Sequence, residues 1–272
     1  MAIVTISRGS ASGGLSLAKG LAKRLGYQFI SREEIIHGAA KFGIEEANME
    51  KALLGPPVFS EDFKHVINCY LTFVQEALCE WAEKDNIVYL GHVGHLLLRG
   101  ISHVLRIRLI APPSYRIRTL VERKGMTSER AATYIEEVDA QRRAWTLLLY
   151  GVDWLSPSLY DLTINLETMN IDSAVETAAT AANCQEFAAT SQSQKAVKDL
   201  LLESRVKAAL ATDAVAGSNK IEVHTDSVSG MVFLKGEAQS TSAIDEMVRV
   251  AREVAGATKV DGSQLHCSDN QD

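Results

Sequence analysis

This chain has little of what a membrane, an oxidising compartment or a nucleic acid would demand. No run approaches the roughly 18 consecutive apolar residues of a membrane-spanning helix, so no transmembrane segment is expected. The cysteines number only four, Cys69, Cys79, Cys184 and Cys267, and no two form a C-x-x-C pair. That scatter argues against a disulfide frame or a zinc site and reads as reduced, partly buried thiols. A basic N-terminal region followed by a long apolar stretch is absent, so no signal peptide is read and a cytoplasmic protein is expected. Basic residues are outnumbered, 28 Lys and Arg against 34 Asp and Glu, which gives a net charge of −6. General nucleic-acid binding needs a basic surface and is not expected here. What is present is a 46% hydrophobic composition over 272 residues, enough for a substantial core and for one or two domains.

Strand-like and helix-like patterns alternate as far as about residue 185. Strands are expected at 2–7, 27–31, 86–91, 103–111 and 160–166. Helices are expected at 14–25, 32–41, about 60–84, 93–99, 113–124, 127–149 and 171–186. Such alternation predicts an α/β fold with a parallel sheet and helices on both faces. Gly55-Pro56-Pro57 breaks the chain before the long helix. Residues 187–194 are small and polar and read as a linker. Beyond them the order is helix (195–211), strand (220–225), strand (231–236), helix (240–255) and strand (257–266). That αββαβ order predicts a compact α+β domain with its helices on one face of a small sheet.

The richest segment is the start. Ile3-Val4-Thr5-Ile6 runs into Arg8-Gly9-Ser10-Ala11-Ser12-Gly13-Gly14-Leu15-Ser16, and a helical pattern follows with Leu15, Ala18, Leu21, Ala22 and Leu25 on one face. Strand, small-residue loop and helix aim backbone N–H groups and a helix N-terminus at one point, a phosphate-binding arrangement. The spacing from Gly9 to Gly14 and Ser16 fits G-x-x-x-x-G-K-[ST], except that Leu15 replaces the lysine. A plain strand-to-helix turn is the alternative.

Between Arg99 and Arg143 ten Lys and Arg stand against five acids. A local positive field within an acidic chain suits a polyanionic small ligand, and arginine suits phosphoryl groups because its planar fork grips two oxygens. The alternative is a set of solvated helix faces, with Asp139, Arg142 and Arg143 forming only an intrahelical ion pair. Gly91-His92-Val93-Gly94, directly after the third strand, allows close backbone approach to a ligand or simply makes a tight turn. His92 and His95 are a poor metal pair without nearby carboxylates.

Ile3-Val4-Thr5-Ile6-Ser7-Arg8, Ser12-Gly13-Gly14 and Leu21-Ala22-Lys23-Arg24-Leu25-Gly26-Tyr27 resemble the opening of the cytidylate kinase-like proteins. So do Ala111-Pro112-Pro113-Ser114-Tyr115-Arg116 leading to Arg123, Glu137-Val138-Asp139-Ala140-Gln141-Arg142, and Trp154 to Asn165. The resemblance covers about residues 2–182. It implies a P-loop nucleoside-monophosphate kinase fold, a kinase and transferase activity, ATP or another nucleoside triphosphate as donor, and Mg2+. By position, Arg8, Gly9, Ser12, Gly13, Gly14 and Ser16 would bind the donor phosphates, with Ser16 also reaching the metal. Arg116, Arg123, Asp139 and Arg142 would be the catalytic lid residues, and residues 32–84 would cover an acceptor nucleotide. This chain departs from the family at Leu15, Ser31 and His92, where relatives carry a basic residue, an aspartate and an arginine. Loss of one phosphate-contacting cation costs factors of about 10² to 10³ in rate.

Residues 197–267 resemble the BON domain through Val206-Lys207-Ala208-Ala209-Leu210, the strand 220–225, Gly230 to Gly236, and Val254 to Val260. That resemblance implies a protein or lipid contact. The tail 195–272 holds 9 Lys and Arg against 12 Asp and Glu, so attraction to anionic lipid is not supported. The domain expectation is 1–186, linker 187–195, and 196–268. Two functional expectations follow. One is a phosphotransferase moving a phosphoryl group from a nucleoside triphosphate to a nucleoside monophosphate, weakened by loss of the loop lysine. The other is a catalytically degenerate nucleotide-sensing module that signals to a partner through the tail. A scaffold in which the glycine loop is only a turn is the third reading.

Overall fold

The computed structural model describes residues 2–39, 61–213, 215–216 and 220–267. They fall into two compact units. The first holds residues 2–37 and 84–190; the second holds residues 38–39, 61–83 and the described residues from 191 onward.

In the first unit, β1 (Ile3–Arg8) is buried from Ile3 to Ser7, as a central parallel strand covered on both faces must be. The chain then runs through α1 (Gly14–Leu25), β2 (Gln28–Ser31) and α2 (Arg32–Ala39). After the part assigned to the second unit come β3 (Ile87–Leu90), the short α4 (Gly94–Leu97), β4 (Val104–Ile110), α5 (Pro113–Lys124), α6 (Ser128–Tyr150), β5 (Leu162–Asn165) and α7 (Ile171–Ala182), where α3 (Glu61–Ala82) belongs to that second unit. The sheet order is β2-β3-β1-β4-β5, with every pairing parallel; Val4 registers with Val88 on one side and Leu105 on the other. The chain therefore leaves β1 toward one edge and later crosses to the opposite edge. The crevice at that reversal, above the C-terminal strand ends, is where such sheets bind ligands.

One face of the sheet is covered by α1 and α7, through Leu17, Ala18 and Leu21 against Ala174, Val175 and Ala178. Each fully buried leucine there contributes about 1.5–3 kcal/mol. The buried stripe of α1 is Gly14, Leu17, Ala18, Leu21 and Ala22, so the expected face starting at Leu15 is corrected: Leu15 is 43% exposed. Helix α7 stops at Ala182, short of 186, because Asn183 turns the chain and a 3-10 turn follows at Gln185–Phe187.

The second unit packs α8 (Ser191–Thr212) beside α3, with Phe73 and Ala208 buried between them. Its three-stranded sheet has the order β6 (Lys220–Asp226), β7 (Met231–Ala238), β8 (Lys259–Cys267), with an antiparallel hairpin and then a parallel pair. Along β7, Val232 and Leu234 are buried while Phe233 and Lys235 are exposed, the alternation of a sheet covered on one face. Leu202 and Val206 of α8 and Met247 and Val250 of α9 (Thr241–Glu253) fill that face. The αββαβ order is as expected, but residues 191–195, read as linker, begin α8. Gly55-Pro56-Pro57 lies outside the described residues.

Two of the four thiols depart from the expectation of partial burial, since Cys184 and Cys267 are exposed. Cys79 is buried, which pushes its thiol up to about 12. Among the described residues, no helix is long and apolar enough to cross a membrane.

Candidate functional site

Beyond Arg8 the chain turns sharply. Ala11 takes φ 59° and Gly13 takes φ 85°, both left-handed. A non-glycine residue there is uncommon, and Ala11 is held by packing against the Leu120, Ala131 and Ile135 cluster of α5 and α6. Ser12 braces the loop, its hydroxyl donating to Gly9 O at 2.9 Å. Gly13 is the N-cap of α1 and no side chain caps the helix; α6, α7 and α9, by contrast, are capped by Thr127, Asn170 and Ser240. The first amides of α1 are left for another acceptor.

Arginines reach this loop from two helices. Arg116 of α5 donates from Nε to Ser10 O at 2.7 Å and from Nη2 to Asp139 Oδ2 at 2.5 Å. Its guanidinium lies on Gly9, where an added Cβ would come 3.1 Å from Cζ. Asp139 of α6 also accepts from the Ser10 N–H at 3.0 Å. Arg142, one turn on, donates to Arg8 O at 3.3 Å and stands 3.8 Å from Asp139. Burial, and then the charge of Arg8, bring the Arg142 guanidinium down to about 10. Burial also lowers Arg8, and the charge of Arg32 acts on it in the same direction.

The site residues expected from sequence therefore separate. Arg8, Gly9, Ser12, Gly13, Gly14, Arg116, Asp139 and Arg142 come together, and Ser16 sits half-buried in the first turn of α1. Arg123 does not join them; it is exposed in the last turn of α5. The Asp139–Arg143 pair is absent, because Arg143 bonds Asp153 at 2.6 Å. Arg106 pairs with Asp161, and Arg108 stacks on Trp154, so part of the basic segment serves structure. Arg32 was not singled out from sequence. The signal was its place at the C-terminal end of β2, the same sheet edge as the loop. Of the proposed acceptor cover, residues 40–60 lie outside the described residues and α3 belongs to the second unit.

The glycines of Gly91-His92-Val93-Gly94 serve a different purpose from ligand approach. A Cβ on Gly91 would lie 2.2 Å from the Tyr89 ring, and one on Gly94 would lie 2.4 Å from it. They seat that ring. His92 faces α6, with Nε2 2.9 Å from Thr146 Oγ1. Thr146 gives its own proton to Arg142 O, so His92 Nε2 carries the proton and donates. Burial first, and then Arg142, keep His92 far below the usual imidazole range. Among the described residues no group of three His, Cys, Asp or Glu could hold a metal.

His95 is buried beside Tyr160, and burial lowers it to about 4. An imidazole held neutral refuses protons that the unfolded chain accepts below its ordinary pKa. Stability is then lost as pH falls from about 6.5 toward about 4, by on the order of 3 kcal/mol for His95. His92 acts in the same direction. Urea unfolding between pH 7 and 5, above the range where carboxylates titrate, should show this slope, and His95→Gln should reduce it to the part that His92 contributes. A pH-independent midpoint in the parent chain would contradict it.

The chain is 28% identical over 167 residues to a cytidylate kinase of Methanocorpusculum labreanum, covering 61% of this chain and 88% of that one. It is 27% identical over 181 residues to a cytidylate kinase of Ignicoccus hospitalis, covering 65% and 96%. An uncharacterized protein from Eubacterium ventriosum shares the fold at 16% identity, with a TM-score of 0.54 over 68% of this chain and all of that one. The BON domain model matches residues 198–266. Since the cytidylate kinase-like family model matches residues 3–168, more than half of the sequence and the whole of the loop-and-arginine site, the chain belongs to the cytidylate kinase-like family.

Proposed function

We propose that the first domain, residues 1–186, is a phosphotransferase that binds ATP or another nucleoside triphosphate at the Gly9–Gly14 loop and passes its terminal phosphoryl group to a nucleoside monophosphate. An acceptor phosphate oxygen forms the new P–O bond, and the bond to the bridging oxygen breaks, leaving a nucleoside diphosphate from each partner. The observation that carries this reading is the convergence of Arg116 and Arg142 on a loop whose helix N-terminus has no side-chain cap. Both guanidiniums are fixed by backbone carbonyls, and positioned charge of this kind is most of what phosphoryl transfer requires. Mg2+ suits a companion role to the nucleotide, since it usually keeps several waters and takes one or two protein oxygens; Ser16, half-buried in the first turn of α1, would be the residue to supply one. There it would neutralise the donor phosphates.

A second reading is favoured by Leu15, which gives the loop an exposed leucine where an ammonium is usual. In it the site binds nucleotide without turnover, and a BON domain (196–268), after a linker at 187–195, reports to a protein or lipid partner. Either form would work in the cytoplasm. A coupled assay with Mg2+, ATP and a panel of nucleoside monophosphates, cytidylate first, separates the two. Turnover that disappears in a Ser12→Ala, Gly14→Val variant supports the kinase. ATP binding by calorimetry with no turnover on any acceptor favours the sensor. Absence of both overturns the two together.

A further inference from the structure

We propose that Arg8, acting with Arg142, supplies the polyphosphate-binding charge that residue 15 lacks. This inference rests on the reading of the loop as a nucleotide site and names the group that makes it competent.

The first observation is where Arg8 runs. A Cβ on Gly14 would lie 2.8 Å from Arg8 Cγ and 3.2 Å from Cδ, so the Arg8 stem crosses the bare first residue of α1, next to residue 15. A cation delivered along that path comes from the strand side of the loop, whereas the usual lysine comes from the helix. The glycine at 14 is what leaves room for it.

The second observation is the state of its head group. Among the described residues, the Arg8 guanidinium makes no hydrogen bond and no ion pair, although the residue is half-buried. Arg142 is anchored on the Arg8 carbonyl; the charges of Arg8 and Arg32 lower its proton affinity, and the charge of Arg32 lowers that of Arg8. Tyr89 and, more weakly, Glu33 act on Arg8 in the opposite direction, as Asp139 and Tyr134 do on Arg142; Asp139 is already engaged by Arg116 and the Ser10 N–H. A guanidinium such as that of Arg8, partly buried with neither a hydrogen bond nor an ion pair among the described residues, is costly to hold charged, and an arriving anion relieves that cost. The neighbouring imidazole, His92, is held neutral and adds nothing to the repulsion.

Chemistry gives the ligand class. A guanidinium offers two parallel N–H donors to one phosphate, so the pair suits the charged tail of a nucleoside triphosphate better than its sugar or base.

The experiment measures ATP–Mg affinity by calorimetry for the full chain and for Arg8→Met, Leu15→Lys and the double variant. Methionine keeps the apolar stem over Gly14 and removes the charge. Arg8→Met should weaken ATP about tenfold or more, and adding Leu15→Lys should restore it to within about threefold of the parent. Leu15→Lys alone should gain less than about threefold, since the charge is already supplied. Equal ATP affinity in the parent and Arg8→Met, or a tenfold gain from Leu15→Lys alone, overturns this inference and leaves the nucleotide site standing. If Arg8→Met fails to fold, the Leu15→Lys result still decides. A parent chain with no affinity for ATP overturns both the inference and the function on which it rests.

Discussion

Gly13→Val is expected to lower affinity for nucleoside triphosphate by at least about a hundredfold, equivalent to roughly 2.7 kcal/mol. Gly13 stands at φ 85°, where an L side chain adds on the order of 1–2 kcal/mol of strain. Space is the larger problem. A Cβ there would meet the Tyr115 hydroxyl at 3.0 Å, Leu166 at 3.2 Å and Ile171 at 3.3 Å. Those residues come from two helices and the turn after β5, so the loop has to yield, and its amide hydrogens leave their common direction. Gly125→Ala provides the control. Gly125 is also left-handed, at φ 63°, but nothing lies within 4 Å of an added Cβ. It should cost about 1 kcal/mol in urea unfolding and leave nucleotide affinity unchanged. Calorimetry on both variants gives the answer; parental affinity in Gly13→Val would show that the loop does not hold the ligand.

The second large effect is expected from Arg116→Ala, which should reduce kcat/KM by about 10² to 10³. Arg116 performs three tasks. It bonds the Ser10 carbonyl, covers Gly9, and neutralises Asp139, all with a side chain only 14% exposed. Its loss leaves Asp139 with Arg142 at 3.8 Å and the Ser10 N–H. A partly buried carboxylate so stranded should also cost about 1–3 kcal/mol of stability. Arg116→Lys restores the charge without the fork, so stability should recover further than rate. Steady-state kinetics beside urea unfolding separates the two quantities. A rate within threefold of the parent in Arg116→Ala would exclude Arg116 from the site.

The centre of the sheet was legible because β1 and β3 are buried on both faces and so read as apolar runs, Ile3-Val4-Thr5-Ile6 and Ile87-Val88-Tyr89-Leu90. The loop was legible because glycine at 13 answers a local backbone need. Family resemblance brought Arg116, Asp139 and Arg142 forward, but their meeting at Arg8 and Ser10 spans more than a hundred residues and no local pattern encodes it. The same limit explains the misreadings. Arg143 lies four residues from Asp139 on a helix, the right spacing for a pair, yet Asp153 from the following loop takes it. Gly91 and Gly94 resembled a ligand approach because sequence gives no warning that Tyr89 folds back over them. Leu15 matched the helical period of α1, and a period cannot tell a core leucine from one on the rim.

An all-parallel sheet gives the first unit two ends with separate duties. The Gly9–Gly14 loop, Arg32, and Pro113 at the head of α5 lie where strands finish. The bends before strands begin, at Gly26, at Asp85-Asn86 and at Gly100, lie at the opposite end, and Gly26 and Gly100 have open space around them. A tag, a fluorophore or a few inserted residues at Gly100 should therefore be carried without disturbing ligand handling, which makes that end the natural handle for attaching this protein to a surface.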